Sequence, residues 1–162
     1  TAIAVIDLLH QETPLTISLR ALTEGMRTVA SGTALQGRWQ KLGDKPLTIC
    51  DTGHNESGIA EVAAQIARQT YRKLYMVVGF VEDKDLSRVL PLLPRQAHYV
   101  FTKAGIRRAL DERELARRAA GYGLQGECVP TVNEALARAR ELAGPDDMIF
   151  IGGSTYVVAE VL

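Results

Sequence analysis

The sequence lacks three features that would each point to a particular class of protein. No apolar run approaches the ~18 residues of a membrane-spanning helix, and we expect neither a membrane partner nor a signal peptide. Neither sign of charge is in excess, because Lys+Arg and Asp+Glu both number 19, so nothing electrostatic favours nucleic acid as a partner. The two cysteines, Cys50 and Cys128, lack metal-ligand spacing, which predicts a reduced, cytoplasmic protein without a metal site.

Apolar residues, by contrast, are plentiful. They make up 46% of the 162 residues, and charged residues make up 23%, which is typical of one folded domain with a packed core. The chain begins with Thr1, inside a helical pattern and without an initiator Met. We interpret this start as the mark of a fragment of a longer protein.

Residues 1–36 predict a helix, a break and a second helix. Apolar residues form a broad face up to Leu9, and Pro14 stops this first helix. Ser18 can cap the second helix, whose apolar residues recur at helical spacing until Gly32 ends it. Such a pair has little to bury against by itself, so we expect it to pack on the rest of the chain or on a missing neighbour.

Residues 37–162 change to short apolar runs that alternate with helical patterns. The predicted strands span 47–50, 74–78, 98–102, 127–129 and 148–151. The predicted helices span 59–69, 86–93, 112–121 and 132–142, with a final one that begins at Thr155. This alternation predicts an α/β fold, in which a three-layer, Rossmann-like, mostly parallel sheet of about six strands has helices on both faces. One of its strands can be antiparallel, and the helical pair precedes the sheet.

Ligands of open parallel sheets bind beyond the carboxyl ends of the strands, and the first such end carries Asp51 and His54. A carboxylate at a strand end can accept hydrogen bonds from both hydroxyls of a ribose, but Asp is also common as a helix cap or turn residue. His54 precedes a predicted helix, where free backbone N–H groups favour an anion. Its alternative is a loop histidine bonded to a backbone carbonyl.

Ser154 and Arg38 are further candidates for the same edge of the sheet. After the last strand, Gly152 and Gly153 allow close backbone approach, and Ser154 can hold a carboxylate or simply cap the helix that follows. Arg38 lies between the helical pair and the sheet, where a guanidinium can cross a cleft and grip phosphate, or form a weak surface ion pair. We expect the neighbouring Trp39 to pack rather than to stack on a base.

Two nucleotide-binding motifs are absent, and one basic cluster points to no ligand. No GxGxxG follows the first strand and no GxxxxGK[ST] occurs, so we do not expect this chain alone to cradle ATP phosphates in the usual way. The basic cluster has no interleaved aromatic residues, and we interpret it as mostly a solvated helix face rather than a nucleic-acid site. Its members are Arg107, Arg108, Arg113, Arg117 and Arg118.

Several motifs occur together in an order that is typical of one known family. They are Gly37-Arg38-Trp39-Gln40, Ile49 to Asn55, Gly79 with Asp83-Lys84-Asp85, Arg108-Ala109, and Gly152 to Tyr156. Their order and spacing resemble the C-terminal domain of the folylpolyglutamate synthase/dihydrofolate synthase family, within the Mur ligase superfamily. The resemblance covers residues 36–162, and residues 1–36 look like the end of that family's central ATPase domain and its linker.

The resemblance implies a reaction. ATP phosphorylates a folate or dihydropteroate carboxylate, and the amine of L-glutamate attacks the acyl phosphate to give an amide, ADP and phosphate. Mg²⁺ is needed, and the resemblance places its ligands and the P-loop mainly in the central domain. We therefore expect this chain to fold, but not to catalyse the reaction alone.

The resemblance also implies roles for individual residues. Arg38 contacts the nucleotide phosphates and Asp51 holds the ribose, while His54 and Asn55 belong to the same nucleotide-binding loop. His54 and Ser154 are placed for the phosphates or the incoming glutamate. On this basis His54 and Arg38 are the catalytic candidates.

Other interpretations stay open at this point. Lys84 and Asp85 are further candidates that can line the interdomain cleft. The C-terminal domain of a muramyl-peptide ligase would share the fold and the Asp/His loop, although Gly37-Arg38-Trp39 and Gly152-Gly153-Ser154 favour the folate branch. A non-catalytic α/β module that binds a nucleotide or an amino acid, and an oligomerisation domain built on the helical pair, are alternatives from other classes.

Overall fold

The structure, a computed structural model, describes residues 2–162. The chain divides into two compact units, Thr1–Gln36 and Gly37–Leu162. This division coincides with the domain boundary that the sequence predicts. Thr1, on which the interpretation as a fragment rests, lies outside the described residues.

The first unit consists of α1 (Ala2–Glu12) and α2 (Leu19–Thr33). Ser18 caps α2 as predicted, because its Oγ accepts a hydrogen bond from the backbone N–H of Ala21 at 3.1 Å. The prediction that Gly32 ends α2 is wrong, since the helix continues through it to Thr33 and stops at Ala34, which is left-handed. No residue of α2 is buried, so within the described part of this unit the helix leaves its apolar stripe exposed.

The second unit is built on a six-stranded sheet. Its strands are β1 (Gln40–Asp44), β2 (Leu47–Asp51), β3 (Leu74–Val78), β4 (His98–Phe101), β5 (Gly126–Cys128) and β6 (Met148–Gly152). Their spatial order is β1-β2-β6-β3-β4-β5. The pairing of β1 with β2 is antiparallel and all the others are parallel, which confirms the predicted mixed sheet.

Helices cover both faces of this sheet, as predicted. They are α3 (Glu56–Ala67), α4 (Glu112–Ala120), α5 (Val132–Leu142) and α6 (Thr155–Ala159). Side chains of a strand alternate between faces, so Met148 and Phe150 join the core under α3 and α4. Ile149 and Ile151 join the core under α5 and α6. The result is a three-layer α/β/α unit with two apolar cores.

Two local predictions differ from the structure. The helix predicted over 86–93 is a pair of 3-10 turns, Leu86–Arg88 and Leu90–Leu92. Pro91 lies in the second turn and has no N–H to give an α-helix. Strand β1 was not among the strands located from the sequence. In residues 2–162 we find no helix that combines the length and the apolar character needed to cross a bilayer.

Candidate functional site

The topology brings the ends of three strands to one edge of the sheet. In the parallel register, Gly152 of β6 lies opposite Asp51 of β2 on one side and Val78 of β3 on the other. The loops that follow β2, β3 and β6 therefore begin side by side. The sequence predicted a site at this carboxyl edge, and the predicted residues after these strands do start there.

The Asp51 carboxylate is fixed by the backbone around it. Oδ1 accepts the N–H of Gly53 at 2.7 Å, and Oδ2 accepts the N–H of Trp39 at 2.7 Å. Asp51 is buried, with 8% of its surface exposed. It thus acts as a turn residue, which was one of its two interpretations. Each oxygen keeps a second lone pair, so the ribose contact stays a prediction.

The turn that carries Arg38 is attached to the same loop. Strand β1 is antiparallel and begins at Gln40, opposite Cys50, so the residues before it lie at the carboxyl edge of β2. Thr52 N–H donates to the carbonyl of Gly37 at 2.9 Å. Gly37 has φ +72°, and a Cβ there would lie 2.8 Å from Thr52 Cγ2. The close approach of these two segments requires glycine and sets Arg38 beside Asp51.

Arg38 itself is exposed. Within the described chain no ion pair includes its guanidinium. The expectation that Trp39 packs is confirmed, because its ring lies 6.3 Å from that of Phe150, centroid to centroid, at the edge of the core. The contact of Arg38 with nucleotide phosphates stays a prediction.

His54 is exposed and its ring is oriented by the backbone. Nδ1 lies 3.0 Å from the carbonyl oxygen of Thr52. A carbonyl can only accept, so Nδ1 carries the proton, and Nε2 is the acceptor of the neutral ring. The bond to a backbone carbonyl was the alternative interpretation of His54, and it is compatible with a functional one, since it leaves Nε2 available.

Asn55 and Ser154 each cap a helix at this edge. Asn55 Oδ1 accepts the N–H of Gly58 at 2.8 Å at the start of α3. Ser154 Oγ accepts the N–H of Tyr156 at 3.2 Å at the start of α6, and Ser154 is 5% exposed. Capping was the alternative interpretation of Ser154. Its hydroxyl proton can still be donated to a ligand.

A cleft of about 500 Å³ opens between these loops. Its lining includes the predicted residues His54, Lys84 and Ser154. Lys84 forms no ion pair within residues 2–162. Asp85 is not part of the lining, and its Oδ1 accepts from Ser87 N–H at 3.0 Å and Ser87 Oγ–H at 2.6 Å. Of the two cleft candidates, Lys84 and Asp85, only Lys84 therefore lines the same cleft as His54.

The lining residues that sequence reasoning missed include Asp83, Arg108 and Tyr156. Arg108 Nη2 donates to Tyr156 Oη at 2.8 Å, and its guanidinium carbon lies 5.2 Å from the centre of the Tyr156 ring. Arg108 Nη1 is 3.5 Å from Asp83 Oδ2. The hydrogen bond to Tyr156, and to a smaller degree the Asp83 charge, raises the pKa of Arg108, which therefore stays charged.

The interpretation of Arg108 as part of a solvated helix face is wrong. Helix α4 begins at Glu112, so Arg107 and Arg108 precede it and belong to the loop after β4. Arg108 and Tyr156 did stand in the motifs of the family resemblance. Their partnership could not be found there, because it joins loops that follow different strands.

The cleft contains two cations, Lys84 and Arg108, and too few possible ligands for a metal ion. In the described residues there is no group of three or more His, Cys, Asp or Glu side chains that could hold a metal ion. Cys50 lies in β2, and burial, followed by the charge of Asp51, raises the pKa of its thiol to about 11. It is therefore no nucleophile. What the arrangement can do is bind an anion between Lys84, Arg108 and a Ser154 hydroxyl.

Comparisons with known proteins identify the family of this chain. Residues 37–155 match the family described as Mur ligase, glutamate ligase domain. The chain is 38% identical over 127 residues to a probable bifunctional folylpolyglutamate synthase/dihydropteroate synthase of Haloferax volcanii, an alignment that covers 76% of this chain and 15% of that protein. It is 29% identical over 128 residues to a folylpolyglutamate synthase of Lacticaseibacillus casei, covering 76% of this chain and 28% of that protein.

A solved structure shares most of the fold. It is a crystal structure of a bifunctional folylpolyglutamate synthase/dihydrofolate synthase with Mn, AMPPNP and L-glutamate bound, and it matches this chain with a TM-score of 0.79 and 25% identity. The match covers 91% of this chain and 35% of that one. The chain thus spans about a third of the solved relative, and 15% of the Haloferax volcanii relative.

Proposed function

Because the chain belongs to the Mur ligase family through its glutamate ligase domain, we propose that it is the C-terminal domain of an ATP-dependent ligase that joins L-glutamate to dihydropteroate or folate. The observation that carries the proposal is the cleft at the carboxyl edge of the sheet. It places the cations Lys84 and Arg108 beside His54 and Ser154. L-glutamate and the phosphates of ATP are all anions, and a cleft of this charge suits them.

The proposed reaction forms an amide through an acyl phosphate. ATP transfers its terminal phosphoryl group to the carboxylate and leaves as ADP, and the amine of glutamate then displaces phosphate. A divalent metal, which we propose to be Mg²⁺, would neutralise the charge of the phosphates. We place the metal mainly in a central ATPase domain of the same polypeptide, since the cleft has one carboxylate, Asp83, and this carboxylate is paired with Arg108. Phosphoryl transfer depends on positioning and on charge stabilisation, and this chain contributes both when its cleft closes on that domain.

The side chains of the Asp51 loop serve the nucleotide in this proposal. Asp51 accepts hydrogen bonds from the ribose hydroxyls. It uses the lone pairs that its hydrogen bonds from Trp39 N–H and Gly53 N–H leave free. Arg38, on the turn attached to that loop, neutralises the phosphates. Asn55 holds the loop in shape through its cap on α3.

The remaining residues serve the amino acid. His54 Nε2 can take a proton from the attacking amine, because Thr52 keeps the proton of the neutral ring on Nδ1. Ser154 donates its hydroxyl to a carboxylate of glutamate. Lys84 adds a positive charge in the same cleft, whereas Asp85 serves to fix its own turn through Ser87.

The other partners follow from the same proposal. Residues 1–36 form the end of the central ATPase domain and the linker, which is consistent with the absence of buried residues in α2 among those described. We propose the cytoplasm as the location, because both cysteines are free in residues 2–162. We propose neither nucleic acid nor membrane as a partner.

The test is ADP release by the longer polypeptide that carries this chain. We expect release that depends on both L-glutamate and a pteroate or folate substrate. Release with a UDP-muramyl substrate instead would assign the chain to the peptidoglycan branch of the family. The 162-residue chain by itself should release no ADP, and turnover by this fragment would show that its own residues suffice.

A further inference from the structure

Arg108 is held in the cleft by two contacts of different quality. Its contact with Tyr156 is short and two-fold, a hydrogen bond of 2.8 Å and a cation–π contact of 5.2 Å. Its contact with Asp83 is long, at 3.5 Å, and exposed, since 54% of the Arg108 side chain and 70% of the Asp83 side chain are accessible. Exposed ion pairs contribute little to stability. Tyr156 therefore positions the guanidinium, and Asp83 forms only a weak ion pair with it.

The loops that carry Arg108 and Asp83 do not need this ion pair to stay together. Glu82 N–H donates to the carbonyl of Arg108 at 3.0 Å, and Leu110 N–H donates to the carbonyl of Phe80 at 3.0 Å. Between these bonds, Val81 and Ala109 form an isolated β-bridge. The backbone therefore fixes both segments, and Asp83 can leave Arg108 without a change in the loops.

We infer that Arg108 determines specificity for the amino acid by binding one of its carboxylates, and that Asp83 is an internal carboxylate that the substrate displaces. The identity of the amino acid as glutamate rests on the proposed function. A guanidinium offers a planar pair of donors that matches a carboxylate. Lys84 lines the same cleft, so each carboxylate of glutamate meets a cation.

The inference predicts opposite effects for the two partners of the ion pair. In the polypeptide that carries this chain, Arg108→Gln should raise the KM for L-glutamate about 10- to 100-fold, the range for a hydrogen bond to a charged group. Asp83→Asn should lower that KM about two- to five-fold, because the competing carboxylate is removed. Tyr156→Phe should raise the KM for L-glutamate, because it removes the hydrogen bond that positions Arg108. The KM for ATP should not change in any of the three variants.

Adjacent residues provide matched controls. Arg107→Gln and Glu82→Gln make the same changes of charge one residue away, outside the lining of the cleft, and should leave the KM for L-glutamate within about two-fold, the ordinary effect of an exposed charge. Thermal unfolding of each variant separates a loss of recognition from a loss of folding.

Two results would overturn the inference. If Asp83→Asn raised the KM for L-glutamate or left it unchanged, Asp83 would be a support and not a competitor. If Arg108→Gln raised the KM for ATP instead, Arg108 would bind phosphate. The proposed function fails separately, when the unsubstituted polypeptide releases no ADP with L-glutamate.

A binding measurement tests the role of Arg108 even if the unsubstituted polypeptide releases no ADP. The Nε–H signal of Arg108 in the 162-residue chain should shift on addition of L-glutamate and not of inorganic phosphate. In the Asp83→Asn chain the shift should occur at a lower concentration. A signal that moves equally with both anions, or with neither, contradicts the inference.

Discussion

Asp147 at the amino edge of the sheet is paired within the described chain, whereas Arg38 and Lys84 at the carboxyl edge are not. At the amino edge, Asp147 is 1% exposed and accepts from Arg72 Nε at 3.1 Å, Arg72 Nη2 at 3.3 Å and Gly144 N–H at 2.8 Å. At the carboxyl edge, Arg38 and Lys84 enter no ion pair within residues 2–162. The first arrangement serves stability, and the second leaves charge available to a ligand.

The backbone of the carboxyl edge is also constrained at Gly153. Gly153 has φ +91°, and a Cβ there would lie 2.8 Å from the carbonyl oxygen of Gly79. The loop after β6 is thus pressed against the loop after β3. This close approach shapes the cleft, and it limits which residues the edge can carry.

The largest effect should come from breaking this constraint. Gly153→Ala meets both an unfavourable φ and a backbone clash, and we expect it to lower the free energy of unfolding by about 2–5 kcal/mol. Gly123→Ala is the matched control, with φ +78° but nothing within 4 Å of a Cβ, and should lower it by about 1–2 kcal/mol. Urea unfolding of both variants measures the difference; equal losses would show that close approach is not what constrains the edge.

The next effect should come from the amino edge. Asp147→Asn removes a charged acceptor of several hydrogen bonds, and we expect a loss of about 1.5–3 kcal/mol in the free energy of unfolding at neutral pH. Ligand binding at the opposite edge should not change. Asp146→Asn, at the exposed neighbouring position, is the control and should be close to neutral.

The pH dependence of this loss has a definite sign. The hydrogen bond from Arg72 is the main cause that lowers the pKa of Asp147. A lowered pKa means that the folded carboxylate is stabilised above its ordinary pKa of about 3.9, and that the benefit disappears as the pH falls through the folded value. The deficit of Asp147→Asn should therefore shrink between pH 5 and pH 2, and a deficit that grew on acidification would contradict this account.

A smaller effect distinguishes two helix caps, one inside the cleft and one outside it. Ser154 caps α6, and Thr131 caps α5 with Oγ1 3.3 Å from the backbone nitrogen of Glu134. Each replacement by Ala should lower the free energy of unfolding by about 1 kcal/mol. Only Ser154→Ala should also raise the KM for L-glutamate in the longer polypeptide. If both variants kept the original KM, Ser154 would be a cap and nothing more.

Most of the sheet could be predicted because the strands carry the signal in their own residues. The apolar runs over 74–78 and 148–151 became β3 and β6, with both faces covered. Strand β1 could not be located, since Gln40–Asp44 contains one apolar residue, Leu42. Its conformation depends on its pairing with β2, and the local sequence pattern does not reveal that pairing.

The cleft could be predicted only in part, for a related reason. His54 and Ser154 each follow a strand end, so topology alone places them at the edge. Arg108 lies 48 residues from its partner Tyr156, and its role depends on a contact between loops. The sequence around Asp51 and His54 is compatible with a structural role and with a ligand role, and only the cleft at this edge favours the second for His54.

The central claim is that the carboxyl edge of this sheet is the working edge of a folate–glutamate ligase. The most direct test compares one histidine at each edge, His54 in the cleft and His98, whose Nε2 lies 3.2 Å from Glu127 Oε1. In the longer polypeptide, ADP release should depend on L-glutamate and a folate substrate, with His54→Ala lowering kcat/KM about 100-fold or more and His98→Ala leaving it unchanged. Equal losses from both replacements, or no glutamate-dependent release at all, would contradict the account.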